Sequence, residues 1–204
     1  MIFAIFRIMS PGRRSKALKE TAHQLNLTFE GEDWSSSARV PQLESPLFGK
    51  GEKAEFQNIM SGVRDGMTTN FFDYSYKGTR SSTSQTVAAF TQDIWLPTFE
   101  VAPVGIVGKL SVTGSSQSIQ FDFDPGFSKR FRLLGPDEER VRKIFTRRVV
   151  SFLEEVDPKA RWHFEGSDFT LILYRRGEMV KPADFSAFVQ ETTEMAKAFL
   201  GIDR

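Results

Sequence analysis

The chain has 204 residues, enough for one domain with a sizeable core, and no cysteine, which excludes disulfides, thiolate metal sites and cysteine nucleophiles. Its 27 basic and 26 acidic residues leave a net charge of +1, so no overall field draws in nucleic acid or an anionic membrane. Twenty Phe among 40% hydrophobic residues describe an aromatic-rich core rather than a disordered chain.

Residues 1–9 are apolar except for Arg7, and Arg13, Arg14 and Lys16 follow. The run is too short to span a bilayer, which takes about twenty apolar residues. Two readings stay open for the stretch from Met1 to Lys16: peripheral contact with a membrane surface, or cover for a hydrophobic face of the same fold. Ser10-Pro11 then opens a helix, with Leu18, Ala22 and Leu25 on one face. Leu27 and Phe29 alternate with polar neighbours in a short strand. The Gly-, Ser- and Pro-punctuated segment 31–53 carries Trp34, Val40, Leu43, Leu47 and Phe48, which predicts a loop packed down on the fold.

Residues 58–91 read as three consecutive antiparallel strands, with Asp65-Gly66 supplying the positive φ angles of a tight hairpin. The middle strand holds the densest aromatic cluster, Phe71-Phe72-Asp73-Tyr74-Ser75-Tyr76, and the Ser/Thr-rich run 79–86 reads as a solvated loop after it. A further strand is expected near 99–101, after Pro97. Ile119, Phe121 and Phe123 alternate with Gln120, Asp122 and Asp124 as a half-buried strand ending at Pro125-Gly126, and Phe131 and Leu133 mark another.

Asp137 caps a helix expected to run to Val156, with Val141, Ile144, Phe145, Val149, Phe152 and Leu153 at helical spacing. Trp162 and Phe164 predict a strand, Gly166-Ser167-Asp168 a tight turn, and Phe169, Leu171 and Leu173 the returning strand. Pro182 opens a last helix that Gly201 ends. The order predicts an α+β fold. A mainly antiparallel sheet, with its meander around residues 54–102, carries an N-terminal helix and two long C-terminal amphipathic helices. Residues 1–14 form an apolar and basic segment, and 15–204 a single domain divisible into sublayers 15–126 and 127–204.

No catalytic motif stands out. His23 and His163 belong to no paired spacing, so no metal site is assigned and no cofactor is expected. Asp122 and Asp124, on one face of a strand, could share a cation, but strand alternation and the turn at Pro125 account for both. Asp73, inside an aromatic strand, needs a partner if buried, and Arg64, Arg80 or a backbone amide are the candidates. A pocket around Asp73, Tyr74 and Tyr76, with Asp122 or Asp124 contributing, is the small-molecule or hydrolytic alternative. Arg140, Lys143 and Arg147 would line one helix face. Acids are interleaved with them, so a solvated face is preferred over a nucleic-acid surface.

The ordered set Asn58-Ile59-Met60-Ser61-Gly62, Phe72-Asp73-Tyr74-Ser75-Tyr76 and Gln85-Thr86-Val87 resembles a bacterial family of uncharacterised proteins. So does the later Phe121-Asp122 and Phe127-Ser128-Lys129-Arg130-Phe131-Arg132, followed by a helix with Thr146 near its middle. Some members of that family carry a membrane anchor before the first helix, and the resemblance implies no catalytic residues. The function expected is that of a non-enzymatic accessory or protein-interaction module, cytoplasmic, with peripheral contact at the inner membrane face left open.

Overall fold

The computed structural model describes residues 11–31, 45–50, 52–78, 81–105 and 118–202. Among these, an N-terminal helix α1 (Pro11–Gln24) is followed by strands β1 (Thr28–Gly31), β2 (Glu52–Arg64), β3 (Met67–Lys77) and β4 (Ser82–Pro103). After the short helix α2 (Phe127–Arg130) come β5 (Phe131–Leu134), α3 (Glu138–Ile144), α4 (Arg147–Glu155), β6 (Trp162–Arg175) and α5 (Phe185–Leu200). The sheet is antiparallel, with strands in the order β1-β2-β3-β4-β5 and β6 paired to β4. The chain is α+β, with helices gathered on one face of a six-stranded antiparallel sheet.

The β2–β3 hairpin turns at Asp65 (φ 48°) and Gly66 (φ 81°), as the Asp-Gly signal requires. Alternation along β3 then sorts its side chains. Phe71 joins the core under the helices, with Met60, Phe90, Phe185 and Phe188. Phe72, Tyr74 and Tyr76 join a second cluster on the other face, with Ile59, Val87, Ile172 and Leu47. Both faces of β3 are therefore buried, and Asp73 lies among the buried side chains of the helix-covered face.

Two strands are longer than local signals suggest. β4 runs unbroken for 22 residues, through Pro97, and begins at Ser82, inside the run read as a loop. Its register to β6 shifts between Thr91 and Leu96 and again between Leu96 and Phe99, so Pro97 sits in an irregular stretch of the ladder, where a missing N–H is tolerated. β6 likewise continues from Trp162 to Arg175 where a turn at Gly166-Ser167-Asp168 was expected. Gly166 is there for space: a Cβ on it would overlap the ring of Phe99. Asp168, at φ 53°, absorbs the irregularity opposite Leu96.

The helix expected over 137–156 is two helices. Asp137 caps α3 by accepting from the Arg140 amide at 3.1 Å, but the backbone turns extended at Thr146 (φ −65°, ψ 168°) before α4. The break lets Phe145 enter the core edge-on to Phe99 (centroids 5.0 Å apart) and Phe199 (5.6 Å). Helix α5 ends as expected on Gly201, at φ 72°. Residues 121–126 form turns joined by an isolated bridge between Phe121 and Asp124, in place of the expected strand. No helix among the described residues is long and apolar enough to cross a membrane.

Candidate functional site

Two buried polar centres lie on opposite faces of the sheet. The first is built on Asp73, whose register partner in β4 is Thr86. Arg14, in the first turn of α1, forks onto it: Nε to Oδ2 and Nη2 to Oδ1, both at 2.8 Å. The Asn58 amide donates to Oδ2 at 2.7 Å and the Thr86 hydroxyl to Oδ1 at 2.9 Å. Asn58 reaches Asp73 because β2 bulges there, with Asn58 at φ 53°, a left-handed conformation that Asn accepts more readily than most residues. Arg14 Nη1 also donates to the Val180 carbonyl at 2.7 Å, and the Val180 amide to the Thr86 hydroxyl at 3.0 Å. The Ser15 hydroxyl donates to Asn58 Oδ1 at 2.5 Å.

Four bonds thus converge on one carboxylate, which fixes α1 and the β6–α5 connection to the sheet. The partner of Asp73 is Arg14, not Arg64, which donates instead to the Leu25 carbonyl behind α1. Arg80 lies outside the described residues. Tyr74 and Tyr76 point to the opposite face, so these three residues do not line one pocket; a period of two forbids it.

The second centre occupies that opposite face. Glu100 of β4 and Glu165 of β6 are paired in register, and both are fully buried. Like charges directly opposite each other repel, and burial sharpens the repulsion. Lys50 answers it, with Nζ 3.0 Å from Glu100 Oε1, 3.3 Å from Glu165 Oε1 and 3.3 Å from the Tyr174 hydroxyl. Glu165 also accepts from the Tyr174 hydroxyl (2.6 Å), the Leu47 amide (2.7 Å) and the Ser45 hydroxyl.

Residues 45–50 are therefore strapped to the sheet, chiefly through the Glu165 carboxylate of β6, with Lys50 also reaching Glu100 of β4. The strap sets Leu47 into the outer aromatic cluster and places Phe48 tilted against Phe56 and edge-on to Tyr74, with ring centroids 5.3 and 5.1 Å apart. Burial alone would lower the Lys50 pKa, but Glu165 and Glu100 outweigh it and raise it. Burial, then Glu165 and Glu100, push the Tyr174 hydroxyl well above its usual range. Burial, Tyr76 and Glu165 push Tyr74 up to about 12.

His163 completes the centre. It is 1% exposed, stacks on Tyr174 at 4.9 Å between centroids, and lies 4.0 Å from Glu100 through Nδ1. Neither ring nitrogen finds a hydrogen-bond partner among the described residues. Burial, then Lys50, Arg176 and Arg161, lower its pKa to about 3, so the ring is neutral at pH 7. Among the described residues no group of three or more His, Asp or Glu is placed to hold a metal ion. A pinned ammonium and a phenol that donates to a carboxylate make a strap.

The remaining predicted residues lie elsewhere. Asp122 is exposed, and Asp124 Oδ1 accepts from the amides of Gly126 (3.0 Å) and Phe127 (3.1 Å), which makes it the turn residue that its sequence suggests. The two carboxylates share no strand face. Arg140 and Lys143 belong to α3 and Arg147 to α4, so the break at Thr146 interrupts the expected stripe. Arg140 pairs with Asp137 at 3.0 Å and lies over the Trp95 ring; Lys143 pairs with Glu139 at 2.7 Å; Arg147 lies over Phe123. His23 is on the exposed side of α1. Sequence reasoning missed Glu100, Glu165 and Lys50. The signal for the acids was available: each sits between core residues on a strand buried on both faces. Lys50, in a loop, carries no such signal.

No protein-family model matches this chain, and no curated protein matches it. Among solved structures, the fold is similar to that of the mycobacterial trehalose monomycolate transport factor A, TtfA, with a TM-score of 0.62. The match covers 93% of this chain and 96% of that one at 12% identity. At that identity the likeness is one of fold.

Proposed function

We propose that the chain is a non-enzymatic accessory module that acts by engaging a protein partner. The observation that carries this reading is Asp73, the acid best placed in sequence to be catalytic, whose carboxylate is closed by four bonds from Arg14, Asn58 and Thr86. A general acid or base needs hydrogen-bond reach to a substrate, and this one faces only the fold. The fold likeness to a protein named as a transport factor is compatible with the same reading. Peripheral membrane contact through residues 1–16 is less favoured, because Arg14, one of its three following cations, is committed to Asp73.

The test is in-cell photo-crosslinking of the tagged full chain, followed by purification under denaturing conditions. The expected result is one protein adduct recovered in near-stoichiometric amount. The reading fails if no adduct forms and the purified chain instead hydrolyses chromogenic ester, phosphate or glycoside substrates at a rate that Glu165→Gln abolishes.

A further inference from the structure

Strand β4 throws out a projection midway along its pairing with β6. Thr91 is in register with Thr170 and Leu96 with Asp168, so Gln92, Asp93, Ile94 and Trp95 oppose the single residue Phe169. Surplus residues of this kind leave backbone groups out of the ladder and re-aim side chains. Gln92 satisfies those of Ile94: its amide nitrogen donates to the Ile94 carbonyl at 2.6 Å, and its amide oxygen accepts from the Ile94 amide at 2.7 Å. Hydroxyl pairs flank the projection on both sides, Thr91 with Thr170 and Thr98 with Ser167, each at 3.3 Å. The Arg140 guanidinium lies over the Trp95 ring, 5.4 Å from its centroid, and Asp137 holds that guanidinium at 3.0 Å. The projection is braced by its own side chains.

What it presents to solvent is apolar. Ile94 is 44% exposed, Trp95 42%, and Phe169, opposite them, 48%. Single exposed apolar side chains are ordinary, but three large ones at one site leave on the order of 300 Å² of apolar surface open, the scale of functional patches on monomers. A rigid projection centred on Trp is the form that interface anchors take, because little conformational freedom is left to lose on binding. Asp93 and Asp168 stand beside it, both exposed, and among the described residues neither carboxylate enters an ion pair or a hydrogen bond.

We propose, resting on the reading of the chain as a partner-binding module, that Ile94, Trp95 and Phe169 are the plug of its interface and that the partner receives them in an apolar socket with a basic rim. The two free carboxylates call for cations across the contact and disfavour an anionic membrane surface. In the cavities along α5 acids outnumber cations, so a second copy of this chain offers the wrong sign there.

In the full chain, photoreactive benzoyl-phenylalanine replaces Phe169 or, as control, Val63, which is 68% exposed on the β2–β3 hairpin. Each chain is irradiated in its native cell, alone, with Trp95→Ala, or with Asp93→Lys and Asp168→Asn together, and thermal melting of the purified variants checks that they fold. The expected result is one protein adduct from position 169 and none from 63, cut at least about tenfold by Trp95→Ala and by the charge variant. The crosslinked peptide of the partner should carry Lys or Arg beside apolar residues. An adduct that either variant leaves unchanged, or that forms as readily from 63, overturns the plug while the partner-binding reading stands. A homodimeric adduct overturns it too, by assigning the patch to a second copy. So does co-flotation with phosphatidylglycerol vesicles that Trp95→Ala abolishes, which places the patch at a bilayer. No adduct from either position overturns the plug and the partner-binding reading together.

Discussion

Acid should loosen this fold through one imidazole. His163 is buried, lacks hydrogen-bond partners among the described residues, and has its pKa lowered to about 3, whereas in the unfolded chain it titrates near the ordinary value of about 6.5. Between those two values the unfolded state binds a proton that the folded state refuses. Stability therefore rises with pH across this window and is lost as pH falls below the unfolded value. One unit corresponds to about 1.4 kcal/mol, so moving from pH 7 to pH 5 should remove about 2 kcal/mol through His163 alone. Carboxylates add their own acid dependence, and a variant isolates the histidine. His163→Phe keeps a ring stacked on Tyr174 and removes the titration. Urea unfolding at pH 7 and pH 5 on both proteins gives four stabilities. The wild type should lose about 2 kcal/mol more than the variant across that interval. The variant should also match or exceed wild-type stability at pH 7, because replacing an unpaired buried polar ring by an apolar one removes a desolvation cost of about 1–3 kcal/mol. Equal losses in the two proteins would show that His163 is paired or hydrated, and would refute the reasoning.

Removing Arg14 tests the other face. Arg14→Met leaves the Asp73 carboxylate buried with only Asn58 and Thr86, and should cost about 3–5 kcal/mol in urea unfolding; adding Asp73→Leu should recover much of it, and a double variant no better than the single one counts against the staple. Lys50→Met abandons two glutamates held in register and should cost a similar 3–5 kcal/mol or so at pH 7, with faster proteolysis within residues 45–50. Because the Lys50 pKa is raised, the stabilisation it provides should be complete below about pH 10.4 and fade as pH rises through the folded value; a wild-type stability flat to alkaline pH would contradict the ion pairs. Gly166→Ala drives a methyl into Phe99 and should lower stability by about 1–3 kcal/mol, with relief from Phe99→Leu, both read by thermal melting.

The local pattern of residues determined much of the architecture. Alternation in 67–77 assigns Phe71 and Asp73 to one face and Phe72, Tyr74 and Tyr76 to the other, whatever the rest of the chain does. Asp65-Gly66 specifies its own turn, and the spacing from Phe185 to Phe199 specifies a helix with one buried side. These features depend on neighbours a few residues apart, which a sequence displays directly. The misread elements share a different origin. Pro97 and Gly166 look like breaks, yet β4 and β6 continue through them because each strand is paired along most of its length and a bulge absorbs the local conflict. The helix over 137–156 breaks at Thr146 because Phe145 packs against Phe99 and Phe199 from other elements.

Site chemistry lies further still from the local pattern. Asp73 could be recognised as an acid in need of a partner, but Arg14 reaches it across 59 positions of sequence, and Lys50 reaches Glu165 across 115. Which cation meets which carboxylate depends on strand register and on where a helix and a loop come to rest. That choice belongs to the assembled fold, where the energy of leaving a buried charge unpaired is large enough to select one arrangement among many.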